Sequence, residues 1–178
     1  ALDLPTATPA GGTFLTAQDF LQLYPAEALR FYYASHLDRN VIDVDFNIAE
    51  FVARNNNVFV GNLGNFCYRA LLFAYKNYGA ITEIASEKSL QKRVEQLMAA
   101  AKKQYEQQDF KKAVKSILQI ADIGNAYFQK HAPWENPAAK KKEVGWCVNL
   151  VRNLGILVQP LVPEFSRKIF RALSVGKL

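Results

Sequence analysis

The chain has 178 residues, a formal net charge of +6 and an isoelectric point near 9.3. Half of the residues are hydrophobic and 21% are charged, as in an ordinary globular protein, and no apolar run is long enough to span a bilayer. The length fits one domain with a real core, and Ala1 to Gly12 has neither the basic start nor the apolar stretch of a secretory signal.

In chain order, residues 1–15 are rich in Pro, Ala, Thr and Gly and read as a linker or a severed connection, while residues 16–178 read as one helical domain. "TAQDFLQLYPAEALRFYYASHL" predicts two short helices, with Pro25 in the first turn of the second. "DVDFN" reads as a loop. "NIAE", Asn47 to Glu50, is close to a capping box with Asn47 as N-cap. It opens a long helix to about Gly79 with an apolar stripe of Val52, Phe59, Leu63, Phe66, Ala70 and Phe73. A linker containing "AITEIAS" leads to a polar helix from about Ser86 to Glu106. Asp109 caps the next helix, whose stripe is Val114, Ile117, Leu118, Ala121, Asn125 and Phe128. It ends before "HAPWEN", because Pro133 disfavours helix at Ala132. The helix from near Pro137 to about Gln159 is apolar on more than one side (Val144, Cys147, Val148, Leu150, Val151, Leu154, Leu157) and is expected in the middle of a bundle. "QPLVPEFS" is a turn, and a short amphipathic helix follows with Phe165, Ile169 and Leu173 inward. No strand alternation, hairpin dipeptide or internal repeat intervenes, so the predicted fold is an all-α bundle of about five to six helices.

No P-loop, G-x-G-x-x-G or H-E-x-x-H is present, so no catalytic, cofactor or metal residue is assigned. Cys67 and Cys147 lie far apart inside helical patterns, away in sequence from His36 and His131, and read as reduced, packed thiols rather than a zinc site, which fits a cytoplasmic protein. Gly61 and Gly64 inside a helix pattern point to close packing. Asn65 and Arg69 are four residues apart, hence on one face at the edge of the core, where amide and guanidinium groups could together read a base edge. The plainer alternative is a solvated face with Arg69 paired to an acid. Trp134, stiffened by Pro133, is either a core plug or a platform on which an unstacked base can lie. Trp146 sits at a packing position. Lys140, Lys141 and Lys142 are either a solvated run or, beside a stacking site, a phosphate track. The first lysine of the chain is Lys76, and the basic residues concentrate in the second half.

"GTFLTAQDFLQLYPAEALRFYYASHL", "VDFNIAEFVARNNNVFVGNLGNFCYRALLF" and "GNAYFQKHAPW" together resemble the C-terminal helical domain of methionyl-tRNA synthetase, a class I aminoacyl-tRNA synthetase, from about Gly12 to Leu173. The spacing of N-L-G-N-F-x-x-R and of A-P-W carries the likeness. The resemblance implies an anticodon-binding domain for the CAU anticodon of methionine and initiator tRNAs. It further implies that Asn65 and Arg69 contact anticodon bases and that Pro133 and Trp134 form the platform for the first of them. The family's ATP-handling loop, K-M-S-K-S, precedes its "GTF" segment, but here "TATPAG" stands there without a lysine. The family's H-I-G-H signature is absent as well. The expectation is therefore recognition without catalysis in this chain, with ATP, and zinc in some members, belonging to a missing catalytic domain that would be a partner alongside tRNA.

Two alternatives accompany this expectation. One is the matching domain of another class I synthetase, or a stand-alone tRNA-binding relative. The other is a helical protein-docking module with Trp134 as its anchor. RNA binding weakens steeply with salt through counterion release, and docking through an apolar anchor varies less.

Overall fold

Several helices begin where a side chain satisfies the first free backbone N–H groups. In the computed structural model, which describes residues 16–40, 46–79, 81 and 83–175, Thr16 accepts the Asp19 N–H (3.1 Å) and starts α1, Ala17–Leu23. Pro25 caps α2, Ala26–Ala34, from the position just outside the helix rather than from within the first turn. Asn47 starts α3, Ile48–Arg54, by accepting the Glu50 N–H at 3.0 Å. Glu50 does not complete a capping box. Its carboxylate instead meets His36 Nε2 at 3.0 Å and the Tyr32 hydroxyl at 3.4 Å. That hydrogen bond to His36 holds the Glu50 carboxyl below its usual range.

The predicted long helix is one rod with an interruption in its register. After α3 comes a π-helical segment, Asn55–Gly64, and then α4, Asn65–Asn77. The wider i→i+5 winding brings the carbonyl of residue i against the side of residue i+5. A Cβ at Gly61 would lie 2.9 Å from the Asn56 carbonyl oxygen. The two glycines therefore face their own helix's backbone, not a neighbouring element.

α5, Lys88–Glu106, and α6, Phe110–His131, form an antiparallel pair. Asp109 is buried, accepts the Lys112 N–H and binds the Lys112 ammonium at 2.7 Å, which keeps its carboxyl below the usual range. A 3₁₀ turn, Ala138–Lys140, leads into α7, Lys141–Val158. α7 is buried from Val144 to Val158 on most of its circumference and packs against α4, α5, α6 and α8, Pro163–Val175. The glutamate of α2 caps α8: the Glu27 carboxylate accepts the N–H groups of Glu164 and Phe165. Arg30 reaches the same corner, donating to the carbonyls of Leu161 and Pro160 at 2.8 Å each.

Counting α3, the π segment and α4 as one rod, the described residues hold seven helical rods and no strand, one or two more than expected. The main core joins α4 to α8, and a satellite aromatic cluster of Phe20, Tyr24, Tyr32 and Phe51 ties α1 and α2 to α3. Cys67 and Cys147 are buried free thiols, and no helix is long and apolar enough to cross a membrane among the described residues. Residues 1–15, read as a linker, lie outside the described residues, as does most of "DVDFN".

Candidate nucleic-acid interface

α4 and α6 approach closely because Gly124 faces Phe66. A Cβ at Gly124 would come within 2.2 Å of the Phe66 ring. On either side of this contact, polar residues of α6 meet the π segment and α4. On one side Asn62 donates to Asp122 Oδ1 (2.7 Å) and accepts from Asn125 at 2.9 Å. On the other side Arg69 donates to Gln129 Oε1 at 3.3 Å. The Arg69 guanidinium carbon lies 5.1 Å from the centre of the Phe128 ring and 5.9 Å from that of Trp134.

Trp134 reaches this position through the turn that ends α6. Ala132 takes a left-handed conformation, φ 39° and ψ 59°, which an L residue with a Cβ rarely adopts. The following proline disfavours the right-handed helical region there, so the chain leaves the helix at once. The Glu135 N–H then donates to the Ala132 carbonyl at 3.0 Å, closing a turn with Pro133 second and Trp134 third. Pro133 is buried and Trp134 is 44% exposed, its ring 6.1 Å from Phe128. Trp134 is thus no core plug. Trp146, by contrast, is 2% exposed and packs 4.3 Å from the Tyr127 ring.

Asn65 is exposed one turn before Arg69 on α4, and its amide has no hydrogen-bond partner among the described residues. Arg69 pairs with no acid among the described residues: a neutral amide and two aromatic faces hold it, so its charge is not neutralised. The structure thus gathers Asn65, Arg69, Pro133 and Trp134 at the junction of α4 with the end of α6.

The three lysines do not form a uniform cationic track. Lys140 lies 3.5 Å from Glu143, and Lys142 binds Glu83 at 2.7 Å. The second hydrogen bond holds the Glu83 carboxyl low and the Lys142 ammonium high. Lys141 stands 6.0 Å over the Tyr78 ring and forms no ion pair among the described residues. Sequence reasoning missed Gln129 and the Asn62–Asn125 pair as supports. Asn125, a polar residue inside the otherwise apolar α6 stripe, was the available signal. Among the described residues no three His, Cys, Asp or Glu side chains gather to hold a metal ion.

A sequence profile described as the anticodon binding domain of methionyl tRNA ligase matches residues 79–178, and one described as class I tRNA synthetases (M) matches residues 9–71. The methionine–tRNA ligase of Methanoculleus marisnigri is 32% identical over 166 residues, covering 90% of this chain and 25% of that protein. That of Pyrococcus abyssi is 34% identical over 169 residues, covering 90% of this chain and 23% of the relative. The chain thus spans about a quarter of the length of the curated relatives it matches. Mycobacterium tuberculosis methionyl-tRNA synthetase in complex with methionyl-adenylate has the same fold, with a TM-score of 0.73 at 21% identity over 81% of this chain and 31% of that one. The profile match covers more than half of the sequence: the chain belongs to the family of anticodon-binding domains of methionyl-tRNA ligases.

Proposed function

We propose that this domain recognises the CAU anticodon of methionine tRNA, within a cytoplasmic protein that joins methionine to that tRNA using ATP. The observation that carries the reading is Arg69: a cation with no acidic partner among the described residues, held beside the half-exposed Trp134 ring and one turn from the exposed amide of Asn65. A guanidinium donates several hydrogen bonds in one plane, and an amide both donates and accepts, which suits the edge of an unstacked base. The indole offers a face for stacking, and Pro133 beneath it keeps the turn rigid. Lys141 supplies charge toward the backbone, with Lys140 and Lys142 partly neutralised by their carboxylates. In this reading ATP, and zinc where a family member carries it, belong to the catalytic domain, and this chain alone forms no methionyl-adenylate.

The test is titration of the chain with an anticodon stem-loop carrying CAU, beside the same loop with the first base changed. The expected result is tighter binding to CAU and a steep loss of affinity with added salt. Equal binding to both loops would overturn the reading. Methionine-dependent exchange of pyrophosphate into ATP checks the catalytic half of the statement, and turnover by the purified chain would contradict it.

A further inference from the structure

The outward face of α4 carries more than Asn65 and Arg69. At about 100° per residue, Tyr68 and Tyr75 form one row along it, seven residues or roughly 10.5 Å apart. Arg69 and Lys76 form a parallel row about 100° around the helix, with Asn65 and Leu72 between the rows. Tyr68 is 65% exposed and Tyr75 67%, and neither makes a hydrogen bond or ring contact among the described residues. Arg69 and Lys76 likewise form no ion pair there. α4, "NFCYRALLFAYKN", contains no aspartate or glutamate at all.

We propose that this face is a second contact strip for single-stranded RNA, which takes the loop nucleotides flanking the anticodon triplet. The inference rests on the anticodon-recognition reading above and extends it along α4. Three observations select RNA as the occupant. The strip is continuous with the Arg69–Trp134 site, since Arg69 belongs to both. Its charge is cationic without an acidic residue on the helix, which complements phosphate. Its exposed rings are tyrosines, whose faces accept any base and whose hydroxyls remain in water. Backbone phosphates would follow the Arg69–Lys76 row while flanking bases lie against Tyr68 and Tyr75.

The experiment compares the unaltered chain, the double variant Tyr68→Ala/Tyr75→Ala, the double variant Tyr68→Phe/Tyr75→Phe and Trp134→Ala. Each is titrated with a CAU stem-loop and with the same loop made abasic at the positions flanking the triplet. The alanine pair should weaken binding of the intact loop by about tenfold or more and leave binding of the abasic loop unchanged. The phenylalanine pair should keep most of the affinity. Both tyrosines being exposed, the melting midpoints should stay together. If the alanine pair binds the intact loop like the unaltered chain while Trp134→Ala does not, the strip is refuted, the face serves another partner such as a protein, and the anticodon reading survives. Equal weakening of both loops by the alanine pair refutes base stacking on the tyrosines. If the unaltered chain binds neither loop, both readings fall together.

Discussion

Arg69 and Trp134 are 65 positions apart in sequence, yet the guanidinium carbon lies 5.9 Å from the centre of the indole ring. Phe128 completes the arrangement at 5.1 Å from the same carbon. Two aromatic faces and one amide hold this cation in place of a carboxylate. An acid would have absorbed the charge, whereas ring faces orient it and leave it available.

The distance depends on Gly124. Any side chain there collides with the fully packed Phe66 ring. Gly124→Ala should lose about 1–3 kcal/mol of stability from overpacking, despite alanine's better helix propensity. Because α4 and α6 would separate, the same variant should also weaken stem-loop binding. Thermal melting and titration of one sample check both, and an unchanged melting midpoint would show that the helices yield at this contact without cost.

Base readers and phosphate binders should differ in kind. Arg69→Ala should cost affinity and relax discrimination between CAU and other loops. Lys141→Ala should weaken both loops about equally and reduce the salt slope by about one unit. Titrations of both loops at several salt concentrations separate the two patterns. Equal weakening by Arg69→Ala would remove base reading from its role.

Much of this architecture is legible in the sequence because local chemistry writes it. Asn47 and Asp109 sit at helix starts as their side chains require, and α7 is apolar on most of its circumference because it packs against four other helices. The π segment is harder to read. The winding of residues 55–64 reveals itself only through Gly61 and Gly64, whose closeness to carbonyls five residues back has no signature in hydrophobic spacing. The partners of the lysines were illegible for another reason. Lys142 meets Glu83 only after the segment before α5 has packed along α7, with the Ala85 N–H donating to the Lys142 carbonyl at 3.0 Å. The pairing of Asn65 with Arg69 was readable from one helix, and its distance to Trp134 was not.

Ala132 should be a site of removable strain. The left-handed conformation costs an L residue about 1–2 kcal/mol, and glycine adopts it freely. Glycine's greater freedom in the unfolded chain offsets about 0.4–1 kcal/mol of that gain. Ala132→Gly should therefore raise stability by up to about 1.5 kcal/mol, and Ala132→Val should lower it. Denaturant midpoints of the two variants should move in opposite directions; movement in the same direction would place the strain elsewhere.

Burial lifts the Cys67 thiol from 9.0 to about 12 and raises the Cys147 thiol as well. A thiol whose folded pKa is raised favours the folded state fully below its unfolded pKa. That contribution is lost as pH climbs toward the folded value. Stability should therefore decline between about pH 9 and pH 12, and Cys67→Ala should flatten part of that decline. At neutral pH a thiol reagent should label neither cysteine until the chain is unfolded, because only the exposed thiolate reacts. Rapid labelling of the native chain would contradict the packing of both.

Trp134 provides the sharpest separation between structure and recognition. At 44% exposure it loses limited buried volume when cut back, and what it loses is contact with Phe128 and Arg69 at the surface. Trp134→Ala should therefore cost far less stability than the roughly 3–5 kcal/mol of a core tryptophan. Its effect on stem-loop affinity should be large, about 1–3 kcal/mol for one lost stacking face. Trp134→Phe should keep part of that affinity, since a smaller ring still stacks. Trp146, 2% exposed against Tyr127, is the control with the opposite pattern: alanine there should unfold much of the stability. Melting and titration on the same two variants decide the matter. If Trp134→Ala melts like Trp146→Ala, or if it binds the CAU loop as tightly as the unaltered chain, the ring is structural and Arg69 must read its ligand without it.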